Sequence, residues 1–231
     1  MSVLKRYNPT LKNRLLGSVQ KGDATELHSL LQTLSVSDFR TAGYLLAENV
    51  LPTLSSQTYW HYFVTIVPQN SKAYLGTFLK AAQKLYNMGQ LQLSQTHLQS
   101  FALTCSDVDV SKMLTTLLPL LKTSDEVELL TTLFCHNQLS KASFYLVKAH
   151  TLPCYYQLFK LLRMAENATE IRQVALSVLR RGDALSYRIT SMLKAYFDIK
   201  DLPVRLSFNV EDYQLSRLEQ GYENFVKMVK M

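Results

Sequence analysis

Residues 70–89, NSKAYLGTFLKAAQKLYNMG, hold the pattern on which the fold turns. Leu75, Phe78, Leu79, Ala82, Leu85 and Tyr86 recur at steps of three and four. On a helix of 3.6 residues per turn those positions share one face. Asn70 or Ser71 offers a side-chain oxygen to the first free N–H groups, and Gly89 supplies the left-handed residue that closes a helix. The spacing therefore predicts an amphipathic helix whose apolar face must be covered by neighbours.

The same grammar repeats on both sides. Asn8-Pro9 opens a first helix with Leu11, Leu15, Leu16 and Val19 on its stripe, and Gly22 closes it. Asp23-Ala24-Thr25-Glu26 reads as a capping box leading into a helix with Leu27, Leu30, Leu31 and Leu34 facing inward. A third helix starts at Ser37 or Asp38 and stops before Pro52, and a fourth runs from Ser55 or Ser56 to Pro68. Beyond Gly89, a helix is expected from about Leu91 to Thr104, then one from Asp107 or Asp109 bounded near Pro119. Thr123 to Glu126 and Asn167 to Glu170 are further capping boxes. Helices over Ser140–Ala149 and Tyr155–Ala165 lie between them, separated by Pro153, and Gly182-Asp183 starts another.

Gly and Pro number 7 and 6 of 231 residues against 41 Leu, too few turn formers for a strand-rich fold. Short helices joined by short turns imply antiparallel neighbours, and there are too many for one four-helix bundle. The expected fold is all-α, an irregular array of about ten to eleven antiparallel helices of α-solenoid or helical-repeat type. It is read as a single all-helical domain, 1–231, allowing a weak subdivision near 104–110 and a C-terminal extended segment plus helix at 203–231. Within that last part, Val204, Leu206, Phe208 and Val210 alternate with polar residues after Pro203. That period of two reads as one extended segment near 204–210, followed by a helix from about Glu211 to Lys230. Lys21-Gly22-Asp23-Ala24 recurs as Arg181-Gly182-Asp183-Ala184. The pattern loosely resembles tetratricopeptide or HEAT-type repeats, without their consensus residues at consistent spacing.

The composition is globular, with 47% hydrophobic and 19% charged residues. No run of 18 apolar residues is present, and the N-terminal Met-Ser-Val-Leu-Lys-Arg reads as no secretory signal. Cys105, Cys135 and Cys154 lack paired spacing, so free thiols in a reducing, cytoplasmic setting are expected. His28, His61, His97, His136 and His150 fall on different segments, and no H-x-x-x-H or C-x-x-C occurs. No metal site or other cofactor is expected. Cys135 adjoins His136, but adjacent helical side chains point about 100° apart, so the pair does not make an activated thiol. The clustered acids Asp125, Glu126 and Glu128 sit at a helix start, where capping and the helix dipole account for them. No catalytic residue is assigned, and the chain is read as not an enzyme.

Two surfaces remain as candidates. Tyr59-Trp60-His61-Tyr62-Phe63 is the densest aromatic run. Trp60 and Phe63 are expected to share the core face and His61 and Tyr62 to face outward, so Tyr59, Trp60, His61 and Tyr62 are the candidate partner-binding residues. The formal charge of +7 is uneven: 11 basic and 9 acidic side chains in 1–137, against 14 and 9 in 138–231. Lys160, Arg163, Arg172, Arg180, Arg181, Arg188 and Lys194 are candidates for contacting phosphates or an acidic partner. Asp and Glu are absent between Glu48 and Asp107, and that stretch reads as a neutral polar face. The leading expectation is a protein–protein interaction module or scaffold binding another protein or peptide. The alternative is a nucleic-acid-binding helical array using the basic surface of 141–194.

Overall fold

The computed structural model describes residues 9–136, 138–205 and 221–230. They are helical throughout their regular structure, with no strand among the described residues. Thirteen α-helices are described: α1 (Pro9–Gln20), α2 (Ala24–Gln32), α3 (Val36–Leu45), α4 (Ser56–Ile66), α5 (Ser71–Asn87), α6 (Gln95–Ala102), α7 (Asp107–Leu117), α8 (Ser124–Cys135), α9 (Leu139–Ala149), α10 (Leu152–Arg163), α11 (Ala168–Leu179), α12 (Ala184–Tyr196) and α13 (Tyr222–Lys230). That is two or three more than the expected count of ten to eleven.

The caps explain most boundaries. Asn70 accepts the Ala73 N–H at the start of α5. At its end, Gly89 (φ 70°) donates to the Tyr86 carbonyl and Gln90 to Leu85, a Schellman closure that only a left-handed residue permits. Thr123 and Glu126 form a reciprocal capping box on α8, as do Ser106 and Asp109 on α7. Asp23 caps α2, but Glu26 turns to Lys21 instead of completing a box.

Three boundaries differ from the sequence reading. Pro153 does not separate two helices; it lies in the first turn of α10, where its missing N–H costs nothing, and Thr151 is the cap. The helix expected from Leu91 begins at Gln95, because the Gln92 backbone is already bonded. Its carbonyl accepts from Trp60 and Ser56, and its N–H donates to Ser56. The third helix continues past Leu45 as a π-turn (Leu46–Val50) and a 3-10 turn (Leu51–Thr53), which carry it through Pro52. The extended segment near 204–210 lies outside the described residues from 206 onward, as does the expected helix up to residue 220. Val204 and Arg205 are irregular and pinned to α12: Lys194 donates to the Leu202 and Val204 carbonyls, and Ser191 to that of Arg205.

Contacts divide the chain into two compact units, Met1–Leu120 and Leu121–Met231. In the first, α5 is the central helix, flanked by the π-turn and α7. Trp60, Phe63, Phe78 and Phe101 form its fully buried aromatic core, with Phe63 and Phe101 ring centroids 4.9 Å apart edge to face. In the second, α10 is central, packed on α8, α9 and α13, while α11 pairs with α12. Phe159 and Phe225 meet there, joined by Tyr156 and Tyr196. Each fully buried side chain of this size contributes roughly 1.5–3 kcal/mol, which outweighs helix propensity as the source of order.

Candidate functional site

The aromatic run is core. Tyr59, Trp60 and Tyr62 are fully buried, and each directs its polar atom to a carbonyl. The Tyr59 hydroxyl donates to Phe78 (2.8 Å), the Trp60 indole N–H to Gln92 (2.7 Å) and the Tyr62 hydroxyl to Val19 (3.3 Å). Burial pushes both phenols above their ordinary pKa, for Tyr62 with help from the Asp23 and Glu26 charges. Tyr62 is thus not the outward residue expected. A helix with one inward face would leave it outside, whereas α4 is covered by α2 on one side and α6 on another. Only His61 of the four stays exposed.

Four of the seven basic candidates have partners within the fold. Lys160 pairs with Glu128 at 2.6 Å. Arg181 donates to the Val147 carbonyl at the end of α9 and lies 3.9 Å from Asp183. Arg188 donates to the Val229 carbonyl of α13, and Lys194 caps the 202–204 turn. Four of the seven therefore donate into the fold itself, three of them to carbonyls that helix ends and turns leave open. Arg163, Arg172 and Arg180 are exposed.

Groups with reactive potential serve as structural links. Burial raises the Cys135 and Cys154 thiols to about 11, which keeps them protonated and unreactive at neutral pH. His150 links Asp183 and Tyr155: its Nε2 lies 3.1 Å from the Asp183 carboxylate as an ion-pair contact, and its Nδ1 is hydrogen-bonded to the Tyr155 phenol at 2.6 Å. The third member is a buried phenol, and burial drives its pKa well above the ordinary value. The chain ties the α9–α10 turn to the start of α12. Among the described residues, no three His, Cys, Asp or Glu side chains converge as metal ligands.

Two open grooves, neither anticipated as a site, carry the surface chemistry. One lies between α9 and α11 in the second unit, about 540 Å³ in volume. Arg181, just past the end of α11, donates to the Val147 carbonyl near the end of α9. Phe144 stands 60% exposed in this groove beside the side chains of Val147 and Val174. Ser140, Ser143, Gln173 and Ser177 line it, with Glu170 toward one end and Lys148 and Arg181 toward the other. The apolar residue here sits on a helix whose remaining stripe is buried, so its exposure is not legible from period alone.

The other groove belongs to the first unit, about 400 Å³, between α3, α5 and α7. Arg40, Lys72, Lys80 and Lys112 line it, all exposed. Its one carboxylate, Glu48, is matched by Lys84 at 3.2 Å, whose ammonium also donates to the Glu48 carbonyl on the π-turn (2.7 Å). The floor is Gly43, Ala47, Ala73, Gly76 and Thr77. Gly43 and Gly76 are helical, neither with positive φ, at a cost of roughly 0.5–1 kcal/mol each relative to Ala. The acid-free stretch of the sequence is the available signal for this groove. Taken along the chain it looks neutral, because its lysines are widely spaced and converge only when α3 and α7 pack on α5.

No protein-family model, curated protein or solved structure matches the chain. Among the described residues, no helix is long and apolar enough to cross a membrane.

Proposed function

We propose that the chain is a non-catalytic interaction module, organised as a helical-repeat scaffold, that binds a segment of another protein along the α9–α11 groove. The observation that carries this reading is Phe144, a large aromatic side chain 60% exposed at a concave, apolar-floored site. Exposed apolar surface in a groove with a polar rim marks binding more often than an isolated exposed residue does. The occupant that fits is an amphipathic segment. Its apolar side chain would cover Phe144, and an acidic residue would face Lys148. The rim hydroxyls and amide of Ser143, Ser177 and Gln173 offer hydrogen bonds that fix register. Buried free thiols at Cys135 and Cys154 fit a reducing compartment, in keeping with a cytoplasmic protein.

The nucleic-acid alternative on 141–194 draws less support, since four of its seven cations are engaged within the fold. The test is quantitative affinity capture with the wild-type chain and Phe144→Asp, followed by binding of the captured partner's segment as a labelled peptide. An aromatic anchor of this kind contributes on the order of 2 kcal/mol, about 30-fold in affinity. Phe144→Asp should lose the partner while melting like the wild type. Unchanged retention and peptide affinity would remove the groove as the binding site.

A further inference from the structure

We infer that the α3–α5–α7 groove of the first unit is an anion site for a compact, multiply phosphorylated ligand. Three observations converge on it. First, Arg40, Lys72, Lys80 and Lys112 come from three helices to one space of about 400 Å³, and none of these side chains has an ion pair or hydrogen bond among the described residues. Glu48 is the one acidic residue that lines the groove. The chain holds no Asp or Glu from residue 49 to 106, so α5 offers none, and Glu48 is already matched by Lys84. Asp109, one turn before Lys112, accepts from the Ser106 N–H and hydroxyl in its capping box. Like charges gathered without counter-charge repel, and a fold tolerates that where a ligand relieves it.

Second, the floor is built of small residues. A Cβ on Gly76 would lie 3.0 Å from the Lys112 ammonium, and one on Gly43 3.2 Å from the Thr77 hydroxyl. Neither glycine has the positive φ that would otherwise explain it. Their effect is space: Lys112 lies down across α5 into the groove, and the Thr77 hydroxyl stays open to it. Third, the size suits a small ligand and not a long one. A groove of this volume holds one compact molecule, whereas an acidic peptide spreads its charges at roughly 3.3 Å or more per residue. Four cations in so small a space match the charge density of clustered phosphates, with lysines as point charges and Arg40 able to bond two oxygens at once.

The ligand is free in solution or is the phosphorylated headgroup of an inositol lipid; the recognition chemistry is shared. Calorimetric titration with inositol hexakisphosphate and inorganic triphosphate at two salt concentrations tests it. Micromolar binding that weakens with salt is expected. Lys80→Glu/Lys112→Glu should weaken it about 100-fold, on the order of tenfold for each ammonium removed. Arg172→Glu/Arg180→Glu, an equal change of charge in the second unit, should leave it unchanged. Gly76→Ala keeps every charge and removes only the room for Lys112; it should weaken binding severalfold without lowering the melting temperature. Sedimentation with phosphatidylcholine vesicles, with and without phosphatidylinositol bisphosphate, separates the sources. Binding only in the vesicle arm that is lost in Lys80→Glu/Lys112→Glu assigns the lipid headgroup. Absence of binding in every arm, equal loss in both charge-reversal pairs, or tighter binding of an oligo-aspartate peptide would overturn the site.

Discussion

The two grooves differ in how each half of the chain uses its cations. Between residues 141 and 194 nine Lys or Arg stand against three acids, yet Lys160, Arg181, Arg188 and Lys194 bond partners within their own unit. The groove left there is apolar, centred on Phe144. The first unit is sparser in cations, yet three helices bring Arg40, Lys72, Lys80 and Lys112 together without an ion pair or hydrogen bond among the described residues. Charge counted along a chain measures supply. Charge presented to a ligand is what remains after helix ends and carboxylates have taken their share, and only packing shows which residues remain.

This contrast between covered and presented side chains is most open to failure at the aromatic run. Trp60→Ala should destabilise the protein by about 3–5 kcal/mol in chemical denaturation, since it removes a fully buried ring and one of the two donors to the Gln92 carbonyl. A stable, folded variant with abolished partner binding would return Trp60 to the surface. Phe144→Ala, an aromatic of the other groove, should change stability by less than about 0.5 kcal/mol, while weakening partner binding by roughly tenfold or more. Both numbers come from the same pair of denaturation and anisotropy measurements.

Arg188→Met probes the engaged cations. It removes the donor to the Val229 carbonyl, and a loss of about 1 kcal/mol is expected together with faster amide exchange in α13. No change in exchange would mean that Arg188 is a free surface charge after all. The smallest effect concerns acid. Burial would raise the Asp183 carboxyl, but the Ser186 N–H and the neighbouring His150 hold it below its ordinary 3.8. A carboxylate depressed in the folded state adds stability above pH 3.8, and that stability is lost as pH falls through the lower folded value. Asp183→Asn keeps a good cap, so its melting temperature should fall less than that of the wild type between about pH 5 and pH 2. Parallel curves would remove the contribution.

The helical framework was legible because its signals are local. Asn70, Thr123, Asn167 and Asp183 cap helices where the sequence pattern places caps, and Gly22, Gly89 and Gly182 all adopt positive φ. Each of these depends on residues within one turn of each other. The sites were less legible. Tyr62 carries no local mark of a second covering helix, and the start of α6 depends on Trp60, 32 residues before Gln92. Lys84 and Glu48 are 36 residues apart, as are the hydroxyl of Ser56 and the Gln92 backbone.

Residue order alone was enough to make this chain a series of amphipathic helices, because periodicity, capping oxygens and left-handed glycines act over a few residues of backbone. Which aromatic rings are covered, which ammonium groups find a carbonyl and which are left facing a groove depended on helix meeting helix. Those meetings are set by shape and burial across long separations in the chain, where a pattern of residues names candidates but not their partners.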